Sequence, residues 1–587
     1  MLAKLIGDLL GRGRPRPRGS TLAVPDVDRL KAALALEKSG QLADAERIYR
    51  ELMREHPDNI DILHLAGHAA RLRGSIDEAI ELLRRAAVLA PESAEIHFHL
   101  GDALSAGGEM ARAAQHYRQA LEADPEFAPA SSGLGHALRA LGNLDAAAAA
   151  YQRAVDLRPD FADFHTALGA ALLELGRRDA ALAVLRRALE LQPGAADAHV
   201  NLGHTLHELG CSELSIAAYC RAVELRPELP EVHLHLGSAL FADGYGAAQA
   251  AANFKRAIEL RPAFTEARFN HALTLLARGE LAEGWKDFEL RFDAALGARR
   301  VPRAVLPQPQ WQGEDLHGKS LLVWGEQGVG DQVQFATLVP ELAARARDCT
   351  FVCLPKLVPL FARSFPAATV TAELPRTSSA GGFDFQSAAG STARWLRPDL
   401  ASFPRGGGYL TADSARVAYW RERFAGLGAG LRVGFSWRSH DLRGDRALSC
   451  SMLDDWQPLF LIAGAHWICL QYDDCAAELD AARKAQGVTV QRMPDVDMFD
   501  DLDETAALIM ALDLVISAPT TVSVLAAALG VETWQMMYGY DWQTHGTERN
   551  LWLPAMRQFR RGWNERWDQV TARIAPQLAD RVATGER

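Results

Sequence analysis

From about Val27 to Phe292, apolar residues fall at helical spacing in short blocks, and the blocks themselves recur. Gly40, Gly74, Gly108, Gly142, Gly176, Gly210 and Gly244 stand 34 residues apart, as do Pro57, Pro91, Pro125, Pro159, Pro193 and Pro227. One extra residue then shifts the next proline to Pro262 and the next turn glycine to Gly279. The pattern predicts helix pairs, with glycine in each turn and proline after the second helix. Small residues bracket the large ones: Ala113 and Ala120 flank Tyr117, and Ala147 and Ala154 flank Tyr151. A Pro-containing stretch, Ala294 to Gly318, ends the pattern with Pro302, Pro307, Pro309 and Trp311. Short apolar runs then alternate with helical stretches: Leu321–Trp324, Thr350–Leu354, Leu431–Trp437, Trp467–Gln471, Val488–Gln491, Leu514–Ser517 and Thr533–Met537. Such alternation predicts parallel α/β sheets.

The 34-residue period resembles the tetratricopeptide repeat. The expected organisation is a basic, disordered leader (1–26), an all-α array of seven repeats plus capping helices (27–293) and a linker (294–318). Two α/β halves follow (319–430 and 431–587), the second closing on a terminal helix. Arrays of this kind stack into a superhelix with a concave face that holds a peptide or protein. His97, His165, His199 and His233 share one repeat position, which holds Ser131 in the fourth unit. A step of one repeat, ~10 Å, is too long for a single zinc ion with bonds of ~2 Å, so these are read as helix-packing histidines. Asn201 has no equivalents in the other repeats, so a folded or helical segment is expected in the groove rather than an extended peptide.

Composition narrows the function. A net charge of −11 over 587 residues excludes a general nucleic-acid binder. Seven cysteines without a CxxC pair indicate neither a disulfide framework nor a zinc site, and a reducing cytoplasm is expected. No apolar run is long enough for a signal segment or a membrane span.

Three stretches carry chemistry. Leu321 to Phe335 reads as strand, glycine turn (Gly325, Gly328, Gly330) and helix start at Asp331. Glycine there lets a ligand approach the backbone, and an acid at a helix start also complements the helix dipole. The stretch 434–440 ends a strand with Arg438, and Arg443 and Arg446 follow. Clustered arginines suit a diphosphate, or form a solvated loop. Ser517 ends a buried strand before Pro519, Thr520 and Thr521, a helix start that suits an anion or ordinary capping. The acidic pairs Asp473–Asp474 and Asp500–Asp501 read as solvated or helix-capping rather than as metal ligands.

These pieces resemble the heptosyltransferase-related glycosyltransferases of the GT-B fold. The resemblance rests on GEQGVGD at 325–331, VGFSWRSH at 433–440, DETAALIMALDLVIS at 503–517, TTVSVLAAALG at 520–530 and MRQFR at 556–560. The junction GELAEGWKDFELRF at 279–292, followed by a Pro-Trp linker, resembles bacterial fusions of repeats to this domain. The resemblance implies two Rossmann-like halves, with the acceptor in the first and a nucleotide sugar in the second. It implies Asp331 as general base, with Gly328, Gly330 and Gln332 in the acceptor-side loop. It implies donor contacts from Ser436, Arg438, Arg446, Gln471, Asp501, Glu504, Thr520 and Thr521, with no metal and no resident cofactor. Where heptosyltransferases carry Asp-Thr-Gly this chain has Pro519-Thr520-Thr521, and Val524 replaces their His, which argues against ADP-heptose. Repeat-fused enzymes of this type point to transfer onto Ser or Thr of a protein held by the array. Flagellin is the expected acceptor, and a CMP-linked nonulosonic acid such as pseudaminic acid the expected donor. Rival expectations are an envelope-saccharide glycosyltransferase and a non-catalytic repeat scaffold with a degenerate GT-B domain.

Overall fold

The structure is a computed structural model and describes residues 23–585 apart from 244–245, 327, 375–381, 441–444, 540, 548 and 563. Most of the expected leader, Gly244 and Arg443 therefore lie outside the described residues, as does the side chain of Arg446. The chain packs into two compact units that meet in sequence at Leu209 and Gly210.

The first unit is helical. Val24–Lys38 pairs with Leu42–Glu55, Ile60–Leu72 with Ile76–Leu89, and Ala94–Ala106 with Met110–Ala123. Ala128–Ala140 pairs with Leu144–Leu157 and Ala162–Glu174 with Arg178–Leu191, before Ala196–Glu208. The turns need glycine because Gly40, Gly74, Gly108, Gly142 and Gly176 all have φ between 70° and 85°. Side chains there would be strained. Glycines on the first helices make room for rings on the second. A Cβ at Gly101 or Gly133 would sit 2.7 or 2.5 Å from the Tyr117 ring, and one at Gly135 would sit 2.7 Å from Tyr151.

The histidine ladder is structural, as its spacing predicted. His97, His165 and His199 each direct Nε2 to the carbonyl of the proline six residues earlier, at 2.9, 2.9 and 3.1 Å. His233 does the same to Pro227 in the second unit, at 3.0 Å. Where the ladder position is Leu63 or Ser131, an arginine replaces it. Arg85 donates to the Pro57 carbonyl at 2.7 Å and Arg153 to that of Pro125 at 2.9 Å. A carbonyl left bare by the turn is thus satisfied in each of these repeats.

The second unit opens with Ser212–Leu225, Pro230–Asp243, Ala247–Leu260, Thr265–Ala277 and Leu281–Phe288. Two parallel sheets follow. The first holds β1 (Ser320–Trp324), β2 (Asp348–Val352), β3 (Thr369–Thr371) and β4 (Phe385–Ala388) in the order β3-β2-β1-β4. The second holds β5 (Leu431–Ser436), β6 (Ala465–Cys469), β7 (Val490–Gln491), β8 (Leu514–Ser517), β9 (Thr533–Tyr538) and β10 (Met556–Arg561). Its order is β10-β9-β8-β5-β6-β7, all parallel. These are two Rossmann-like halves following the helix array, the fold class read from the sequence.

One core joins the last helix pair to both halves. Trp285 is buried among Phe288, Trp542 and Trp552, and its Nε1 donates to the Arg397 carbonyl at 2.9 Å. The Pro-Trp linker lies along β4: Gln386 N donates to Pro309 O at 3.0 Å and Trp311 N to Gln386 O at 2.9 Å. The two halves meet without side chains at one point, where a Cβ on Gly408 would lie 2.3 Å from the Leu529 carbonyl carbon.

Candidate functional site

In an open parallel sheet, ligands bind beyond the carboxyl ends of strands where the strand order reverses. Numbered from its own first strand, the second sheet runs 3-2-1-4-5-6, so its reversal lies between β5 and β8. Those strands end in register at Ser436 and Ser517. Ser436 Oγ donates to Gln471 Oε1 at 3.0 Å, and Gln471 Nε2 donates to Arg438 O at 3.0 Å and Asp473 Oδ1 at 2.9 Å. Ser517 Oγ lies 3.2 Å from Thr520 Oγ1. Thr520 caps the helix Thr521–Ala528, and its N–H donates to Ser523 Oγ at 3.3 Å. Small hydroxyls therefore line this crevice.

Arg438 does not extend freely into it. Its guanidinium pairs with Asp473 and, at 2.6 Å, with Glu478, and these carboxylates hold it charged more firmly than usual. Asp501 caps the helix Leu502–Ile509 by accepting from Glu504 N at 2.9 Å. Glu504 accepts from Trp420 Nε1 and from Arg416 Nη1, both at 2.7 Å, and so clamps the helix Ser414–Ala425. The acidic pairs have ordinary tasks here: Asp474 accepts from Ala476 N at 3.1 Å, and Asp500 lies 3.4 Å from Lys356 Nζ.

The glycine turn faces this sheet. Gly328 caps the short helix Val329–Phe335, and Asp331 is its third residue, half-buried. Gln332 turns inward, where its Oε1 accepts from Leu354 N at 2.9 Å and fills the space over Gly325. A Cβ on Gly330 would lie 3.9 Å from Val524 on the helix Thr521–Ala528. Beside this approach is a cavity of about 130 Å³ lined by Val329, Lys356, Tyr472, Phe499, Thr505 and Thr521. Lys356 Nζ lies over the Phe499 ring at 4.1 Å and donates to the Phe499 carbonyl at 2.7 Å. A second cavity of about 190 Å³ is lined by Cys469, Gln471, Tyr472, Asp473, Arg492 and Met498. Tyr472 and Met498 border both cavities.

The structure thus brings Gly330, Thr521, Tyr472 and Gln471 into one neighbourhood, with Asp331 on the same turn. Asp501 and Glu504 are not among the cavity-lining residues; Thr505 of the same helix is. Sequence reasoning missed Lys356, in the 3-10 turn Pro355–Leu357 after β2, and Tyr472 and Arg492, in short loops after strands; none carries a motif. It also missed the first sheet's reversal between β1 and β4. There the buried Glu326 accepts from Arg291 Nε at 2.6 Å and from Gly390 N at 2.7 Å. Arg291 also reaches Glu289 at 2.8 Å and Ser391 Oγ at 2.7 Å. Burial works against the charge on Arg291, but Glu326 and Glu289 outweigh it and raise its pKa.

Comparison with known proteins agrees with the helical part. Sequence models described as tetratricopeptide repeat match residues 30–94, 64–128 and 196–229, and one described as TPR repeat matches 135–176 and 171–210. The N-terminal helix pairs are a tetratricopeptide-repeat array. The chain is 35% identical over 332 residues to Protein FlbA of Caulobacter vibrioides, covering 54% of this chain and 55% of that protein. It therefore spans about half the length of that curated relative. Among solved structures, YrrB, titled a TPR protein with an unusual peptide-binding site, is 24% identical with TM-score 0.27. That likeness covers 32% of this chain and 96% of YrrB. MamA is 27% identical with TM-score 0.26, over 28% of this chain and 96% of MamA. Among the described residues, no helix is long and apolar enough to cross a membrane.

Proposed function

We propose that the α/β region is a GT-B glycosyltransferase that takes a sugar from a nucleotide donor. The observation that carries this reading is the approach of Gly330 to Val524. It sets the glycine turn bearing Asp331 opposite the helix start at Thr520 and Thr521, beside a cavity between the halves. In this reading the Asp331 carboxylate accepts the proton of an acceptor hydroxyl as its oxygen attacks the anomeric carbon. Backbone N–H groups at the start of Thr521–Ala528 meet the charge that develops on the departing phosphate. Ser436 and Gln471 line the donor side, and Gln332 supports the acceptor-side turn from beneath. The repeat array holds a protein acceptor, with transfer to Ser or Thr. Flagellin as acceptor and a CMP-linked nonulosonic acid as donor follow from the resemblance of the repeat fusion.

A second reading, a binding scaffold without transfer, is favoured by Arg438, whose guanidinium is already taken by Asp473 and Glu478. One experiment separates the two. Flagellin from cells lacking this chain is incubated with the purified protein and CMP-pseudaminic acid, and its intact mass is measured. A mass gain of one sugar unit supports transfer. No gain with this or other nucleotide sugars, while nucleotides still bind, favours the scaffold.

A further inference from the structure

The second cavity has two thiols in its wall. Cys469 ends β6, Cys475 caps the helix Ala476–Gln486, and their Sγ atoms lie 3.8 Å apart. Both residues are almost fully buried from bulk solvent, yet both line the cavity of about 190 Å³, which gives small molecules a route to them. The two sulfurs are electrically unlike. The hydrogen bond between them, and then burial, hold the Cys469 thiol up. The same bond holds the Cys475 sulfur down; Arg492, lining the same cavity, adds to this, while burial, Asp473 and Glu478 oppose it. A helix N-terminus and a nearby guanidinium are the surroundings that make a thiol nucleophilic.

We propose that Cys469 and Cys475 are a reactive dithiol that a small-molecule disulfide closes into an intrachain bridge, locking residues 470–474 at the cavity wall. The Cys475 thiolate attacks one sulfur of the small disulfide, forming a mixed disulfide and releasing one thiolate. Cys469 then loses its proton to that thiolate and attacks Cys475 Sγ, displacing the second small thiolate. Overall, the Cys475 thiolate, the Cys469 thiol and one disulfide become one intrachain bridge, one small thiol and one small thiolate. Drawing the sulfurs from 3.8 Å to a bond of ~2.05 Å pulls the helix start toward β6. The segment between them carries Gln471, bonded to Ser436, and Tyr472, whose hydroxyl accepts from His440 N at 2.9 Å. The bridge would therefore act on the cavity whatever ligand that cavity takes.

The test uses the folded full chain and oxidised glutathione. After oxidation and blocking of free thiols, cleavage before Asp473 separates Cys469 and Cys475 onto different fragments. The expected result is that these fragments stay joined until dithiothreitol is added. Amide exchange over 470–475 should slow at least about fivefold in the bridged protein, because local opening is restricted. Cys475→Ser should abolish the bridge and Cys450→Ser should leave it intact. Fragments that separate after native oxidation, or join only in urea, would overturn the dithiol. A bridge that leaves exchange unchanged would overturn the locking.

Discussion

In the repeat array a polar requirement recurs and either of two residues meets it; at the reversal of the first sheet the buried charge of Glu326 is met by a single cation, Arg291. The carbonyl after each second helix is taken by a ladder histidine in some repeats and by an arginine in others. Among the described residues, Arg291 is the cation that pairs with both Glu326 and Glu289 at the sheet reversal. Repeats contact their neighbours in one standard way, so the same need is met many times and substitutes can arise. Strand-end crevices are each built once, from segments far apart in the chain.

The largest effect should come from Arg291→Met. It leaves Glu326 buried without its cation, and removal of one partner of a buried pair costs about 3–5 kcal/mol. Urea unfolding of the full chain should show this loss, and adding Glu326→Gln should recover more than half of it. A loss below about 1 kcal/mol would mean that the crevice has a substitute after all.

Next in size is Asp331→Asn. Glu326, the other acid of the turn, is committed to Arg291 and Gly390 N and cannot stand in. Transfer should fall at least ~100-fold while nucleotide binding and melting temperature hold. Asparagine serves a helix start nearly as well as aspartate, so an unchanged transfer rate would remove Asp331 from the chemistry.

A pH effect follows from His545, whose two nitrogens are both engaged. Its Nδ1 donates to Leu276 O at 2.8 Å and its Nε2 accepts from Trp552 Nε1 at 3.1 Å. Burial lowers its pKa from 6.5 to about 4, and burial also lowers His64 to about 4. As pH falls below 6.5 the unfolded imidazoles bind protons first. The stability contributed by these neutral histidines is therefore full above pH 6.5 and is lost progressively toward pH 4. His545→Asn, which suits the left-handed backbone at φ 49°, should flatten the acid dependence of thermal melting. An equally steep dependence in that variant would assign the acid loss elsewhere.

The smallest effects test redundancy within the array. The arginines that replace the ladder lie 28 residues after their prolines. For Pro159 that position is Arg187, which now bonds Glu190 at 2.9 Å. His165→Leu should cost under about 1 kcal/mol, because Arg187 can take over the carbonyl. For Pro91 the equivalent residue is Gln119, so His97→Leu should cost about 1–3 kcal/mol. Equal losses in the two variants would end the claim of interchangeable partners.

Much of the architecture was legible in advance. The helix pairs, the glycine turns and the ladder's structural role all follow from a period that repeats within the chain. The strands β3 and β4 were not foreseen, since each has at most four residues and β4 carries Gln386 and Ser387. Five of the six residues of β10 were noted as the motif MRQFR, but Arg557, Arg560 and Arg561 in this strand gave no clear strand signal. Among site residues, the glycine turn and the helix start at Thr520 stand out locally. The state of Arg438 does not, because its partners Asp473 and Glu478 lie 35 and 40 residues away.

The amino-acid order by itself determined the stacked helix pairs, the switch to parallel α/β structure and the turn that carries Asp331. Each depends on spacing within one or two elements, where propensity and periodicity act directly. Only the tertiary structure decided that Arg291 is buried against Glu326, that Arg438 is held by two carboxylates and that Cys469 faces Cys475. It alone set Trp285 against the Arg397 carbonyl, 112 residues on. Those pairings depend on which strand ends and loops become neighbours, and no local pattern encodes that choice.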